Sequence, residues 1–251
     1  MFLNDTDFLD QHFLIDEEVI DKFINISDIK NTDTIVEIGA GKGVITKRIA
    51  PLSKKLIVIE KDKRLSKYLN EIDNIEVIYD SVLNIKIPKC NKIITSLPYS
   101  ITEPFIYKLI DTDFDKLIMI CGYNFATNVE NSEITKLSLL TNLFFNFKLI
   151  DKIKPQSFEP QPRVLSALII LEKKDINDLN YNEKVLRYLY DYRYLKVKNA
   201  LREIFNKLDN STKRLAKEKI SNLNIEESIL NKKFDEISNV ELNELYKKII
   251  R

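Results

Sequence analysis

A chain of 251 residues, 44 % of them hydrophobic and 31 % charged, has the composition of a folded globular protein. Its length allows one large α/β domain with a smaller appendage, so a single active site is expected. The net charge of +1 does not by itself indicate a nucleic-acid-binding protein, and the single histidine, His12, argues against catalysis by imidazole networks such as a zinc hydrolase site.

The sequence shows no signs of export or of metal binding. No cationic flank leads into an apolar stretch near Met1, and no apolar run approaches membrane-spanning length, so neither secretion nor membrane insertion is expected. Cys90 and Cys121 have no nearby Cys or His with which to complete a metal site. We therefore expect no bound metal, two buried thiols and a cytoplasmic location.

After residue 33 the chain alternates short runs rich in β-branched residues with amphipathic stretches. This repeat predicts an α/β fold with a mostly parallel, doubly wound sheet. The predicted strands are Thr34–Ile38, Lys55–Glu60, Ile75–Tyr79, Lys92–Ser96 and Lys116–Cys121. Two later runs, residues 144–153 and 164–171, resemble the antiparallel pair that closes the edge of many such sheets.

The pattern changes after Leu171. Residues 172–180 are polar and suit a linker, and the rest of the chain has helical periodicity without a further strand. We therefore expect an α/β domain over residues 1–175 and a small helical domain over residues 176–251.

Three of the four glycines fall in the segment Val36-Glu37-Ile38-Gly39-Ala40-Gly41-Lys42-Gly43, after the first predicted strand and before a helix. Glycines there allow a sharp turn in which the backbone approaches a ligand closely. A tight turn without a ligand could use the same residues. Because no phosphate-binding Lys-Ser/Thr pair follows, Glu37 suits a ligand with an ammonium group better than a pyrophosphate.

Two acids stand where a nucleoside would need them. Glu60 ends the second predicted strand, where a carboxylate can accept both ribose hydroxyls. Asp80 follows the third strand and can accept from an adenine amino group while the backbone of Val82 contacts the ring, although it could equally cap a helix. Together with the glycine turn, these residues favour S-adenosylmethionine over NAD or ATP.

The fourth strand ends in Ser96-Leu97-Pro98-Tyr99. The exocyclic N6 of adenine is a poor nucleophile because its lone pair is delocalised into the ring. The Ser96 side chain and the Leu97 carbonyl can accept its hydrogens and favour a more nucleophilic nitrogen, while Tyr99 stacks on an extruded base. The alternative is an ordinary proline turn with a buried Tyr.

In combination, these motifs resemble those of the ribosomal RNA adenine N6,N6-dimethyltransferases, the family of the KsgA and Erm enzymes, over nearly the whole chain. Residues 10–14, Asp-Gln-His-Phe-Leu, are similar to the family's opening Gly-Gln-Asn/His-Phe-Leu, and the other motifs follow in family order. Residues 158–167 resemble its Phe-x-Pro-x-Pro-Lys-Val-x-Ser-Ala segment. Residues 193–201 resemble the basic helix that begins its C-terminal domain.

The resemblance implies a Rossmann-like methyltransferase that acts as a monomer on ribosomal RNA or a pre-ribosomal small subunit. The methyl donor, S-adenosyl-L-methionine, would be bound by Gln11, His12, Leu14, Gly39, Gly41, Glu60, Asp80, Val82 and Ser96. The target adenine would be held by Ser96, Leu97, Tyr99 and Phe158. His12 could instead be a capping or packing residue, and Phe158 could equally belong to the core.

Several positions depart from the family pattern. Ser96 replaces the usual Asn, Asp10 a Gly, and Leu195 a basic residue. Residues 122–128 lack the usual Gln, Glu and Arg, and residues 134–138 differ from the usual Tyr-Gly-Arg-Leu-Ser. Fewer arginines mean fewer phosphate contacts, so the RNA site departs from the family more than the cofactor site does.

Three functional hypotheses follow. The leading one is N6-methylation of adenosine in RNA by direct in-line transfer without a metal. The others are a diverged paralogue that methylates another amino group in RNA or protein, and a non-catalytic RNA-binding or assembly factor that keeps the cofactor fold. Basic residues expected to contact RNA phosphates are Arg187, Arg193, Lys196, Lys198 and Arg202.

Overall fold

The computed structural model describes residues 11–250. Nine strands lie within this range: β1 (Phe13–Leu14), β2 (Thr34–Ile38), β3 (Lys55–Ile59), β4 (Ile75–Ile78), β5 (Lys92–Ser96), β6 (Lys116–Gly122), β7 (Phe145–Ile153), β8 (Phe158–Glu159) and β9 (Ser166–Lys173). Seven of them form one sheet in the order β4-β3-β2-β5-β6-β9-β7, and β1 pairs with β8 separately.

The predicted α/β fold class is confirmed. Strands β4, β3, β2, β5 and β6 run parallel, and each lies within one residue of its predicted ends. At the edge, β9 runs antiparallel to β6 and lies between β6 and β7. The predicted edge run began at Val164, whereas β9 begins at Ser166 and continues to Lys173.

Residues 11–130 and 146–173 form one compact unit built on the sheet. Its helices are α1 (Glu17–Ser27), α2 (Val44–Ile49), α3 (Ser66–Leu69), α4 (Thr102–Ile110) and α5 (Tyr123–Glu130). Side chains on both faces of β2 and β6 are buried almost throughout, which is typical of parallel strands covered on both sides. This burial explains why the two strands are mostly apolar and do not alternate between apolar and polar residues, with Glu37 as the buried exception in β2.

Residues 131–145 and 174–250 form a second compact unit. Its helices are α6 (Lys136–Phe144), α7 (Tyr181–Asp191), α8 (Val197–Asp209), α9 (Lys213–Asn222), α10 (Glu227–Leu230) and α11 (Asn239–Ile249). The predicted boundary at residue 175 placed residues 131–145 in the α/β domain, whereas the structure groups them with the C-terminal helices. Phe144 of α6 packs against Tyr190 of α7, with ring centroids 5.4 Å apart, and apolar periodicity alone does not say which core a helix joins.

Between residues 11 and 250, none of the helices combines the length and the apolar character that a membrane crossing requires. The same part of the chain has no group of three or more His, Cys, Asp or Glu that could hold a metal ion. Cys90 and Cys121 are buried free thiols. Asp10, one of the departures from the family pattern, lies outside the described residues.

Candidate functional site

A cavity of about 370 Å³ opens beside the carboxyl ends of β2, β3 and β5, whose last residues Ile38, Ile59 and Ser96 line it. Ligands of open parallel sheets bind at this edge, because the loops that follow the strands converge there. The predicted site residues that line the cavity are Gln11, His12, Gly39, Gly41, Glu60, Asp80, Val82, Ser96, Leu97, Tyr99 and Phe158. Leu14 is not among them: its side chain is buried in the core and lines a separate, smaller cavity.

The glycine turn brings the backbone up to this cavity. Gly39 and Gly41 have φ angles of +73° and +58°, in the left-handed region that favours glycine. A Cβ atom on Gly41 would lie 3.1 Å from two ring carbons of Phe13. Gly41 is therefore required both for its backbone conformation and for the close approach of Phe13.

Glu60 holds this turn from the neighbouring strand. Its side chain is buried, Oε2 accepts a hydrogen bond from the Gly41 amide at 2.9 Å, and Oε1 accepts one from the Asp62 amide at 2.8 Å. Each carboxylate oxygen can accept a second hydrogen bond. Glu60 can therefore receive two hydroxyl donors from the cavity while it keeps the turn in place.

Asp80 lies just beyond β4 at the same edge of the sheet. Its Oδ1 accepts from the Ser81 amide at 2.6 Å and from Asn84 Nδ2 at 3.0 Å. Its Oδ2 accepts no hydrogen bond from any residue in the described range, and no helix begins at this point. Asp80 is thus not a helix cap, and one oxygen can accept from a ligand. Val82, buried beside it, also lines the cavity.

Glu37 lies beneath the glycine turn and lines a smaller cavity of about 40 Å³. Its Oε2 has no hydrogen-bond partner among residues 11–250. Burial raises the pKa of Glu37 to about 8; the Thr46 hydroxyl opposes this shift and the charge of Glu60 adds to it. The carboxyl group is therefore mostly protonated at neutral pH.

The loop after β5 forms another wall of the cavity. Ser96 is half-buried at the end of the strand, and Leu97 is buried. The Leu97 side chain covers the glycine turn, since its Cδ2 would lie 3.0 Å from a Cβ atom on Gly39. Leu97 thereby connects the predicted catalytic loop to the predicted cofactor turn.

Tyr99, the last residue of the loop tetrapeptide, is half-buried and makes contacts on two sides. Its hydroxyl shares a hydrogen bond with the hydroxyl of Ser166 at the start of β9. The His12 ring stacks alongside it, with centroids 6.1 Å apart, and His12 Nδ1 donates to the Pro160 carbonyl oxygen at 2.7 Å. His12 therefore lines the cavity and also packs against the loop.

Phe158 belongs to both the cavity and the core. Its ring is 2 % exposed, and β8 pairs with β1 so that Phe158 lies opposite Leu14. Leu14 and Phe158 belong to the same buried cluster, but only Phe158 lines the larger cavity. Phe158 is thus a core residue with one edge turned toward the site.

Two of the basic residues predicted to contact RNA stack on aromatic rings within the second compact unit, which is called the helical unit below. Arg187 stacks on Phe144 at 4.4 Å and donates to two backbone carbonyls, and burial lowers its pKa. Arg193 stacks on the ring of Tyr190 at 4.4 Å. Arg187 is therefore a packing residue and is unsuited to the predicted phosphate contact.

Lys196 and Lys198 are exposed and form no ion pair within the described part of the chain. A backbone bridge joins Lys196 to Lys233, which is also exposed, and Lys198 donates to Asn231 Oδ1 at 2.6 Å. Arg202 pairs with its neighbour Glu203. The bridge thus adds Lys233 to the predicted basic surface. Because Lys233 is distant from Lys196 in sequence, their proximity could not be predicted from the sequence.

Sequence reasoning missed several residues that line the cavity, among them Phe13, Lys61, Leu83 and Ile101. A signal for Phe13 was available, because it lies between His12 and Leu14 in the opening motif. Successive strand residues point to opposite sides, so a buried Leu14 directs Phe13 toward the turn. Lys61 and Leu83 directly follow predicted site residues and Ile101 lies two residues after Tyr99, but none of the three belongs to a sequence motif of its own.

The sequence matches a family model described as ribosomal RNA adenine dimethylase over residues 3–244. A protein of Methanococcus maripaludis named "Probable ribosomal RNA small subunit methyltransferase A" is 32 % identical, and the match covers 93 % of this chain and 98 % of the relative. A protein of the same name from Thermococcus sibiricus is 33 % identical, with 80 % of this chain and 76 % of the relative covered.

Solved structures share the fold. A dimethyladenosine transferase from Plasmodium falciparum has a TM-score of 0.67 at 23 % identity and covers 94 % of this chain and 98 % of its own. The 23S rRNA methyltransferase ErmE has a TM-score of 0.62 at 18 % identity and covers 95 % of this chain and 100 % of its own. The family match over nearly the whole sequence confirms the resemblance found in the motifs: the chain belongs to the ribosomal RNA adenine dimethylase family, whose members use S-adenosylmethionine as methyl donor.

Proposed function

We propose that this chain transfers methyl groups from S-adenosylmethionine to the exocyclic N6 of an adenine in small-subunit ribosomal RNA. The observation that carries the proposal is the convergence of the glycine turn, Glu60, Asp80 and the Ser96–Tyr99 loop on one cavity. The acids supply acceptors for a nucleoside, and the loop supplies an acceptor and a ring for a base. The names of the archaeal relatives support the small subunit as the source of the RNA.

The residues around the cavity suit the cofactor. Glu60 has acceptor capacity for the two ribose hydroxyls, and Asp80 Oδ2 for the adenine amino group. Oε1 of Gln11 is buried without a hydrogen-bond partner in the described range, so it suits the ammonium group of the methionine part. The glycine turn allows the ligand to approach the backbone between these groups.

When bound, S-adenosylmethionine supplies an electrophilic methyl group on its sulfonium. The task of the chain is then to orient the N6 lone pair toward it. Ser96 Oγ and the Leu97 carbonyl oxygen would accept the two N6 hydrogens, while Tyr99 would stack on the base beside Phe158. With these roles, Ser96, Leu97 and Tyr99 would all contact the same base, which fits their close spacing in the sequence.

The RNA would be held mainly through its phosphates. Lys196, Lys198 and Lys233 are exposed on the helical unit, and lysines without acidic partners can replace the counterions of a phosphate backbone. We expect these contacts to position the RNA instead of reading its sequence. We also propose that the chain acts as a monomer in the cytoplasm; its two free thiols suit the reducing conditions of that compartment.

The test is nucleoside mass spectrometry of ribosomal RNA from cells with and without the gene. We expect N6-methylated adenosine in the small-subunit RNA to fall in cells that lack the gene and to return with the wild-type gene. A gene that encodes Glu60→Ala should not restore it. Equal amounts of N6-methylated adenosine with and without the gene would overturn the proposal.

A further inference from the structure

We propose that Ser166 is a positioning residue for methyl transfer and acts through the ring of Tyr99. The inference rests on the proposed function, in which Tyr99 stacks on the target adenine. Ser166 lies on β9, far in sequence from the loop after β5, and does not line the cavity. Its effect on the reaction must therefore pass through another side chain.

The contact between the two hydroxyl groups is well defined. Ser166 is fully buried, and its Oγ shares a hydrogen bond with the Tyr99 hydroxyl. A buried hydroxyl that lost this partner would be left unsatisfied, which proteins avoid. The bond therefore fixes the far end of the Tyr99 ring relative to the sheet.

Two neighbours restrict the rest of the ring. Gly122 lies opposite Ser166 in the register of β6 and β9, and a Cβ atom on Gly122 would lie 3.8 Å from Tyr99 Cγ. On another side the His12 ring stacks on Tyr99 with an angle of 28° between the planes. The serine bond thus sets the direction of the ring axis, while Gly122 and His12 limit the plane of the ring.

This restriction matters because a stacked base takes its orientation from the ring beneath it. A tilt of Tyr99 would move adenine N6 away from the methyl group, and small errors of alignment lower the rate of transfer. The hydrogen bonds of the predicted cofactor acids Glu60 and Asp80 do not involve Ser166. Loss of the Ser166 hydroxyl should therefore lower turnover on RNA and leave cofactor affinity unchanged.

The experiment is a double-mutant cycle with Ser166→Ala, Tyr99→Phe and the double variant, assayed for methyl transfer to small ribosomal subunits and for cofactor affinity by calorimetry. Each single variant removes the same hydrogen bond, so we expect each to lower kcat roughly 3- to 10-fold. The double variant should be no slower than the slower single variant. Ser27→Ala is the matched control, because it removes another fully buried hydroxyl, one that donates to the Phe23 carbonyl in α1.

Losses that multiply in the double variant, or a Ser166→Ala chain as fast as wild type, would overturn the inference. A loss of the same size in Ser27→Ala would also overturn it, since a general packing defect would then be sufficient. If Ser166→Ala fails to fold, Tyr99→Phe with normal kcat is enough to reject the role of the bond. A wild-type chain that methylates no ribosomal RNA would reject the proposed function and this inference together.

Discussion

Glu60 is the side chain on which we expect cofactor binding to depend most directly, because it lines the cavity and also accepts a hydrogen bond from the Gly41 amide. Glu60→Ala should weaken S-adenosylmethionine binding by about 1 to 3 kcal/mol, the cost of removing charge-assisted hydrogen bonds. Calorimetry measures this directly. Glu76→Ala is the control, since Glu76 is an exposed acid on β4 that pairs with Lys55. Equal affinity in wild type and Glu60→Ala would remove Glu60 from the site.

Ser96 should support transfer less effectively than the Asn usual in the family. Its hydroxyl offers one acceptor on a shorter side chain, so N6 is aligned less firmly. Ser96→Ala should lower turnover by about 10²-fold and leave cofactor affinity within a small factor, while Ser96→Asn should maintain or raise turnover. Methyl incorporation into a ribosomal subunit measures both. An Ala variant as active as wild type would show that this side chain has no such role.

Glu37 should make folding stability depend on pH. In the folded chain the Glu37 carboxyl group keeps its proton up to about pH 8. In the unfolded chain it loses the proton near its ordinary pKa of 4.5. Between these values the folded state binds more protons, so raising the pH favours unfolding. From near pH 6 to near pH 9, wild type should lose about 2 to 3 kcal/mol more unfolding free energy than Glu37→Gln. Urea denaturation at both pH values measures this, and an identical loss in the two proteins would contradict it.

At the scale of elements, the glycine turn after β2 should be sensitive to substitution by any residue with a side chain. Gly41→Ala would force a side chain into positive φ and against the Phe13 ring. We expect it to destabilise the fold by about 1 kcal/mol or more and to weaken cofactor binding at least tenfold, because the turn must move. Thermal unfolding and calorimetry on one preparation measure both. Normal cofactor affinity in this variant would mean that the turn does not approach the ligand.

The parallel strands were predictable because their sequences carry a direct physical signal. After a lysine at the start of each strand, residues 56–59 and 117–121 are all apolar, because side chains on both faces of these strands are buried. The position of Glu60 and Asp80 beside one cavity was predictable for a related reason. Each follows a strand whose end can be located in the sequence, and the carboxyl ends of parallel strands lie at the same edge of the sheet.

The remaining contacts depend on pairings between distant parts of the chain. The bond between Ser166 and Tyr99 requires β9 to run antiparallel beside β6, with Ser166 opposite Gly122. The grouping of α6 with the C-terminal helices depends on which core receives Phe144. Local sequence periodicity predicts helices and strands but not which distant elements pack together, so neither contact could be predicted from it.

At the scale of the whole molecule, a net charge near zero leaves RNA binding to local clusters of cations. Replacing Lys196 and Lys198 by Gln should weaken RNA binding and lower the slope of log affinity against log salt by about 1 to 2. Lys213 and Lys217, exposed on α9, provide the control with the same loss of charge. Filter binding at several salt concentrations measures both pairs. Equal effects from the two pairs would show that total charge, not this surface, determines binding.

The most direct test of the central claim is methyl transfer in a purified system. Wild-type chain, small ribosomal subunits and S-adenosylmethionine with a labelled methyl group are incubated, and the nucleosides are then identified by mass spectrometry. We predict label on adenosine N6 with wild type and a strong loss of label with Glu60→Ala. Label on another nucleoside or on ribosomal protein, or no label while calorimetry shows normal cofactor binding, would contradict the claim that this cavity presents adenine N6 to the methyl group.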